Sequence, residues 1–116
     1  MFIYDLKLTK GDKFDGVTFT VTDSDTGAAI DLTDYSARME IRSGSKTGTV
    51  AATFTTDSGL TIADAEGGQI SIDPFSVTYD AGYYQYDIQF TDGDGDVYTW
   101  IGGQVRVVQD VTQPAT

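Results

Sequence analysis

The sequence predicts an antiparallel β-sandwich, an all-β fold of seven to eight strands, and three patterns carry this prediction. The segment 83–91 alternates strictly between apolar or aromatic and polar side chains, as expected for a half-buried strand whose successive side chains point to opposite faces. Its apolar positions are Tyr84, Tyr86, Ile88 and Phe90. Short segments of the same kind recur between turns rich in Gly, Asp and Ser. No segment shows the periodicity of a helix.

The turn before the segment 83–91 makes the fold prediction more specific. Asp80, Gly82 and Tyr84 resemble the tyrosine corner of immunoglobulin-like sandwiches, in which the Tyr hydroxyl bonds to backbone upstream. Tyr84 is the expected corner residue, and Tyr86 stands where an antibody domain has its second cysteine. The sequence therefore predicts an Ig-like sandwich in which Asp80, Gly82, Tyr84 and Tyr86 have structural roles.

Three strands are predicted in the first half of the chain, over residues 1–9, 14–22 and 36–43. Each has apolar side chains at alternate positions, so one face of each strand is expected to be buried. The inward positions are Tyr4, Leu6, Leu8, Val17, Phe19, Val21, Ala37, Met39 and Ile41. Residues 23–27 form a predicted turn, because they bond to their own backbone or accept positive φ. Ile30, Leu32 and Tyr35 are expected to reach the core from a connection.

The second half supplies the remaining predicted strands. Short strands are expected over 50–56, 60–62 and 69–73, with one helical turn in 74–79. A hairpin at 92–96 joins the strand 83–91 to a last long strand over 97–108. The pair Gly102-Gly103 inside that last strand suggests a bulge.

The predicted organisation is one Ig-like domain over residues 1–109, followed by a polar tail over 110–116. Residues 44–48 are small, polar and basic, which indicates a mobile loop tip. The start of the chain lacks the pattern of a signal peptide, and no apolar run has the length of a membrane helix. The absence of cysteine suits folding in a reducing cytosol.

Composition argues against several classes of function. Seven basic residues against 18 acidic ones, a net charge of −11, are poorly suited to phosphate groups or an anionic membrane surface, so neither nucleic acid nor membrane is an expected partner. The chain has no histidine and no cysteine, which removes the ordinary nucleophile–base pairs and the commonest zinc ligands. A carboxylate pair for glycoside hydrolysis is the remaining catalytic option. We therefore expect neither enzymatic activity nor a cofactor.

Clustered aspartates raise the question of calcium. Asp92, Asp94 and Asp96 have the spacing of calcium ligands, but the twelfth position of such a loop is Gly103 where a glutamate is needed. A Gly-Asp hairpin is the favoured interpretation, and the same holds for the turn with Asp23 and Asp25. A weak site completed by the carboxylates of a partner stays open.

Seven residues are candidate partner-binding positions: Phe2, Ile3, Arg38, Arg42, Tyr83, Tyr98 and Trp100. Phe2 and Ile3 would lie at a sheet edge, where a strand can add to a neighbouring chain. Arg38 and Arg42 flank Glu40 on an outer face, either as a solvated face with cross-strand pairs, which we favour, or as a docking surface. Exposed tyrosine or tryptophan is typical of binding hot spots, although core packing is the expected role of Trp100.

Several segments in a fixed order carry a resemblance to a known family. They are Tyr4-Asp5-Leu6, Lys10-Gly11-Asp12, Phe19 with Asp23-Ser24-Asp25 and Gly27, Ile30-Asp31-Leu32-Thr33, Tyr35, Ala37-Arg38-Met39, Ile41-Arg42, Ile70-Ser71-Ile72, Ala81-Gly82, Tyr84, Tyr86-Asp87-Ile88, Gly103, Val105 and Val107. Together they resemble a family of small phage and prophage Ig-like virion proteins, similar in style to the N-terminal domains of baseplate upper proteins. The resemblance spans nearly the whole chain.

The resemblance implies a non-enzymatic virion structural protein that binds other virion proteins, with several copies per particle. Such a protein is made in the host cytoplasm and ends in the virion. The favoured place is the tail or baseplate, at fibre attachment. The alternatives are a capsid decoration protein that stabilises the shell, and a module that binds host-surface glycans through Tyr83, Tyr98 or Trp100.

Overall fold

The computed structural model describes residues 2–44 and 48–109, which form strands and turns without any helix. The strands are β1 (Phe2–Ile3), β2 (Leu6–Thr9), β3 (Lys13–Phe14), β4 (Val17–Thr20), β5 (Ser36–Ser43), β6 (Val50–Thr55), β7 (Leu60–Asp64), β8 (Gln69–Ile72), β9 (Phe75–Ser76), β10 (Gly82–Thr91) and β11 (Val97–Val108). Eight of these strands have four or more residues, in agreement with the predicted number. No helix in the described ranges is long and apolar enough to cross a membrane. The predicted tail and most of the predicted loop at 44–48 lie outside these ranges.

The strands form an Ig-like antiparallel sandwich of two main sheets. The larger sheet has the order β1-β11-β10-β5-β6, and β2 also pairs with β11. The smaller sheet has the order β4-β8-β7, while β3 and β9 make a separate two-stranded pair. The N-terminal strands β1 and β2 run parallel to β11, and the other strand pairs are antiparallel. The first and last strands of the domain therefore lie side by side.

Apolar side chains from both sheets form one core. The predicted alternation of β10 is confirmed, because Tyr86, Ile88 and Phe90 are buried while Tyr83 and Gln89 are exposed. The alternation of β5 is confirmed in the same way, with Ala37, Met39 and Ile41 buried. Leu32 of the connection after β4 is also buried, and Ile30 and Tyr35 are partly buried against the core. None of the buried side chains in the described ranges is polar or charged.

The predicted tyrosine corner is present at the start of β10. The hydroxyl of Tyr84 donates a hydrogen bond to the backbone carbonyl of Asp80 at 2.6 Å. Gly82 allows the turn into β10, because its φ of 154° is in a region that side chains rarely adopt. Tyr86, two residues further on, is buried in the core. Asp80, Gly82 and Tyr84 thus form the predicted corner, and Tyr86 belongs to the core next to it.

Tyr84→Phe is expected to lower the free energy of unfolding by about 1 kcal/mol, because it removes the hydroxyl that satisfies the Asp80 carbonyl. Urea titration of both proteins measures the difference. The matched control is Tyr83→Phe, since Tyr83 is 66% exposed on the opposite face of the same strand. Equal stability of the Tyr84 variant and the native chain would disprove a stabilising role for the corner hydrogen bond.

The predicted first strand is interrupted. Residues 2–3 and 6–9 pair with two different parts of β11, and the backbone leaves strand geometry at Tyr4 and Asp5. Tyr4, predicted to point inward, is 39% exposed. Its ring instead packs edge-on against Phe19 of β4. The predicted second strand is likewise split into β3 and β4, with Gly16 at a φ of 91° between them.

Two further predictions are wrong. The segment 74–79 contains no helical turn, because Phe75 and Ser76 form β9 and pair with β3. The bulge in β11 lies at Trp100 and not at Gly102-Gly103, since Ile88 is opposite Ile101 while Gln89 is opposite Thr99. The glycine pair has a different role, described below.

Candidate binding groove

An open groove runs along one edge of the sandwich, between β11 of the larger sheet and β4 of the smaller sheet. Its volume is about 530 Å³. We call it the edge groove, and it is lined by Phe2, Phe19, Thr20, Val21, Thr22, Asp23, Ser24, Asp25, Ile30, Tyr98, Trp100 and Ile101. Three of the predicted partner-binding residues, Phe2, Tyr98 and Trp100, therefore meet in one place.

The bulge in β11 directs Trp100 into an aromatic cluster. Trp100 has no partner opposite it on β10, and its ring lies 5.1 Å from Phe90 and 5.9 Å from Tyr35. The Tyr98 ring stacks on Trp100 at 5.0 Å with an interplanar angle of 11°. Phe90 is fully buried, whereas Tyr98 is 38% exposed. The cluster therefore connects the core to the surface. Trp100 packs against the core through Phe90, as predicted, but its ring also contacts the partly exposed Tyr98.

The N-terminal segment forms the second aromatic wall. Phe2 is 57% exposed, and its ring lies 6.3 Å from Phe19. The segment is held close to β11 at Gly103, where an added Cβ would lie 2.5 Å from the Tyr4 carbonyl oxygen. A carboxylate oxygen of Asp5 also accepts a hydrogen bond from the backbone N–H of Gln104 at 2.9 Å. The glycine thus permits a close approach of two backbones.

A partly buried tyrosine hydroxyl ties the same segment to β10. The hydroxyl of Tyr86 donates a short hydrogen bond to the carbonyl of Tyr4, 82 residues away in the chain. Burial, and then the negative charge of Asp5, raises the pKa of Tyr86 above its ordinary value of 10.0. Tyr86, which stands where an antibody domain has its second cysteine, therefore joins the N-terminal segment to the central strand of the larger sheet.

Tyr86→Phe is expected to lower the free energy of unfolding by about 1–2 kcal/mol near neutral pH, because the Tyr4 carbonyl loses its donor. The raised pKa adds a pH dependence. Stability from protonated Tyr86 is complete below about pH 10, the unfolded value, and is lost as the pH rises above it, because the unfolded chain binds fewer protons there. Urea titrations across this range should show a shallower alkaline loss for Tyr86→Phe than for the native chain. If the free energy of unfolding fell equally with pH in Tyr86→Phe and in the native chain, the raised pKa of Tyr86 would be contradicted.

Two acidic side chains line the edge groove, and others lie near its aromatic cluster. Asp23 and Asp25 line the groove, and no lysine or arginine in the described part of the chain does so. Burial raises the pKa of Tyr35, and the charge of Asp92 raises it further, followed by smaller effects from other groups that include Asp31. The Tyr35 ring contacts Trp100, which lines the edge groove. The carboxylates that act on Tyr35 therefore lie at the same end of the molecule as the groove.

The aspartate turns bond to their own backbone. A carboxylate oxygen of Asp92 accepts hydrogen bonds from the N–H groups of Asp94 and Asp96, both at 2.9 Å. Asp23 accepts in the same way from Asp25 at 2.8 Å and Thr26 at 3.2 Å. The favoured Gly-Asp hairpin is therefore present. Within residues 2–44 and 48–109, no group of three or more metal-binding side chains is placed to hold an ion.

Arg38 and Arg42 lie on the outer face of the larger sheet, away from the edge groove. Both donate to Glu40, at 3.0 Å and 2.7 Å, so the pairs run along one strand and not across strands as predicted. Hydrogen bonds from Arg38 and then Arg42 lower the pKa of Glu40. Arg42 also donates to the Gly48 carbonyl at 3.0 Å. These contacts fit the solvated charged face that the sequence favoured.

The remaining candidates are also separate from the groove. Tyr83 lies on the outer face beneath the guanidinium of Arg106, 5.7 Å from the ring centre. Ile3 is exposed on the other side of β1, next to Gln85 and Gly103. Sequence reasoning missed Phe19 and Tyr35 as parts of a site, because only the closure of the sandwich brings them next to Phe2 and Trp100.

Comparison with known proteins supports the fold. The structure of CopC from Methylosinus trichosporium OB3b matches with a TM-score of 0.50 and 13% sequence identity, covering 94% of this chain and 90% of that one. The structure of a family 123 glycoside hydrolase from Clostridium perfringens matches with a TM-score of 0.41 and 9% identity, and the match spans 24% of that chain. No protein-family model and no curated protein matches the sequence. The likeness to CopC agrees with a β-sandwich.

Proposed function

We propose that this chain is a non-enzymatic structural module of a phage virion that binds another virion protein, at the tail or baseplate where fibres attach. The virion setting comes from the resemblance of the ordered sequence segments, and the binding role comes from the edge groove. A small Ig-like sandwich supports many functions, so the fold alone does not indicate which one this chain has.

The observation that carries the proposal is the concentration of exposed apolar side chains at one edge. Seven large hydrophobic side chains are exposed in the described ranges, and five of them belong to two neighbouring segments, the N-terminus and the start of β11. These five are Phe2, Ile3, Tyr4, Val97 and Tyr98. Phe2 and Tyr98 line the edge groove, and Ile3 lies on the other side of β1. Large apolar patches on soluble proteins mark interaction sites, and aromatic residues dominate binding energies. The edge is therefore suited to a protein partner.

A second candidate function is binding of host-surface glycans. It is favoured by hydroxyl groups of Thr20, Thr22 and Ser24 that line the edge groove together with Trp100 and Tyr98. A sugar ring stacks on aromatic faces, and its hydroxyl groups form hydrogen bonds with polar side chains such as these. A titration with host glycans, monitored by the fluorescence of Trp100, tests this function directly.

Quantitative mass spectrometry of purified virions from the source phage tests the main proposal. The copies of this chain are counted against those of the major capsid protein. We expect a small number per particle, as a tail or baseplate component requires. Hundreds of copies would assign the chain to capsid decoration, and absence from the particle would disprove a virion role.

A further inference from the structure

We propose that the edge groove binds an extended, positively charged segment of a partner virion protein, which pairs as a strand with residues 97–99 of β11, on the edge that no described strand covers. This inference depends on the proposed function and deepens it by naming the chemistry of the partner. Three features of the groove carry the inference, namely its backbone edge, its apolar wall and its charge.

The first feature is an unpaired length of β11. On this edge β1 reaches only Ile101 and Gly102, and β2 pairs further along, from Val105 onward. Within the described ranges, the residues 97–99 pair with β10 alone. Their outward N–H and C=O groups can bond to an added strand. No proline or lysine, the residues that commonly block such edges, occurs between Val97 and Trp100.

The second feature is the apolar wall beside this edge. Phe19 and Ile101 are buried at its base, and Trp100 is partly buried between them and the surface. Phe2 and Tyr98 flank it and are exposed. Since alternate side chains of a strand point to one face, every second residue of an added strand would contact this wall. An aliphatic side chain at those positions fits the groove.

The third feature is negative charge, which no lysine or arginine among the described lining residues offsets. Asp23 and Asp25 line the groove, while Asp31, Asp92 and Asp96 act on Tyr35 next to it. The chain as a whole carries a net charge of −11. Such a field attracts a cationic segment and repels an acidic one. A segment with a net positive charge is therefore the expected occupant.

A fluorescence titration tests the inference, because Trp100 is the single tryptophan of the chain and lines the groove. The probe is a short synthetic peptide of alternating lysine and valine, and the matched peptide alternates glutamate and valine. We expect a saturable blue shift of the Trp100 emission with the lysine peptide, about tenfold weaker binding of the glutamate peptide, and weaker binding at high salt. Hydrogen exchange should slow at residues 97–99 in the complex.

Two matched pairs of variants locate the binding. Asp25→Asn is expected to lower the affinity for the lysine peptide by about two- to fivefold. Asp57→Asn, outside the groove, should leave this affinity unchanged. Tyr98→Ala is expected to weaken binding, while Tyr83→Ala on the outer face does not. Thermal melts establish that all four variants are folded.

Several results would overturn the inference. They are equal responses to both peptides, equal losses in a variant and its control, or binding without slower exchange at residues 97–99. A dimer of this chain that shields Trp100, or a glycan that binds in place of the peptide, would assign the groove to another occupant. The virion measurement is independent. If the chain is found in virions but the lysine peptide does not bind, the virion role stands and the assignment of a cationic strand to the edge groove is wrong.

Discussion

Phe90→Ala is expected to lower the free energy of unfolding by about 3–5 kcal/mol. Phe90 is fully buried at the centre of the larger sheet, and its ring lies 5.1 Å from Trp100. The substitution removes most of an aromatic side chain from a close-packed core and leaves a cavity under the aromatic cluster. Because domains of this size are stabilised by about 5–15 kcal/mol, the variant should fold but melt at a much lower temperature.

Urea titration with far-ultraviolet circular dichroism measures this loss. The matched control is Val97→Ala on the neighbouring strand, where the side chain is 56% exposed and the change is expected to be small. We also expect the Trp100 emission to shift to the red, since the ring loses its buried neighbour. Similar losses for Phe90→Ala and Val97→Ala would show that the core does not extend beneath the edge groove.

Elements whose pattern is local could be predicted from the sequence. The strand Ser36–Ser43 has the predicted bounds, because apolar and charged side chains alternate over its six central residues, 37–42. The tyrosine corner was predictable for the same reason, since Asp80 and Tyr84 are four residues apart and their hydrogen bond is local. Patterns of this kind need no information about the rest of the chain.

Elements that depend on distant contacts could not be predicted in the same way. The edge groove exists because β1 runs beside β11, a pairing that joins residues near opposite ends of the chain. The sequence indicated Phe2 as a sheet-edge candidate and Trp100 as an aromatic candidate, but it did not indicate that they would meet. The short strand at Phe75 was missed because two residues carry no periodicity, and its partner is β3, about sixty residues earlier.

The glycine pair in β11 shows how one pattern supports two interpretations. Glycine inside a strand indicates either a bulge or a close approach of another backbone. The bulge lies at Trp100, and Gly103 instead faces the Tyr4 carbonyl. Only the position of the N-terminal segment distinguishes the two, and that position follows from the tertiary fold.

Gly103→Ala is expected to lower the free energy of unfolding by about 2–3 kcal/mol. The added Cβ would lie 2.5 Å from the Tyr4 carbonyl oxygen and 2.9 Å from a carboxylate oxygen of Asp5, so the N-terminal segment must move away from β11. This movement would strain the hydrogen bond from Tyr86 and displace Phe2 from the wall of the edge groove.

The matched control is Gly93→Ala in the β10–β11 hairpin, where an added Cβ meets only an ordinary contact at 3.7 Å and stability should change little. Urea titration compares the two variants, and hydrogen exchange should become faster in residues 2–8 of Gly103→Ala alone. Unchanged exchange there would mean that the first strands tolerate the added methyl group. If exchange does increase, binding of the lysine peptide should weaken with it, because Phe2 and the free edge of β11 are held together by the same close approach.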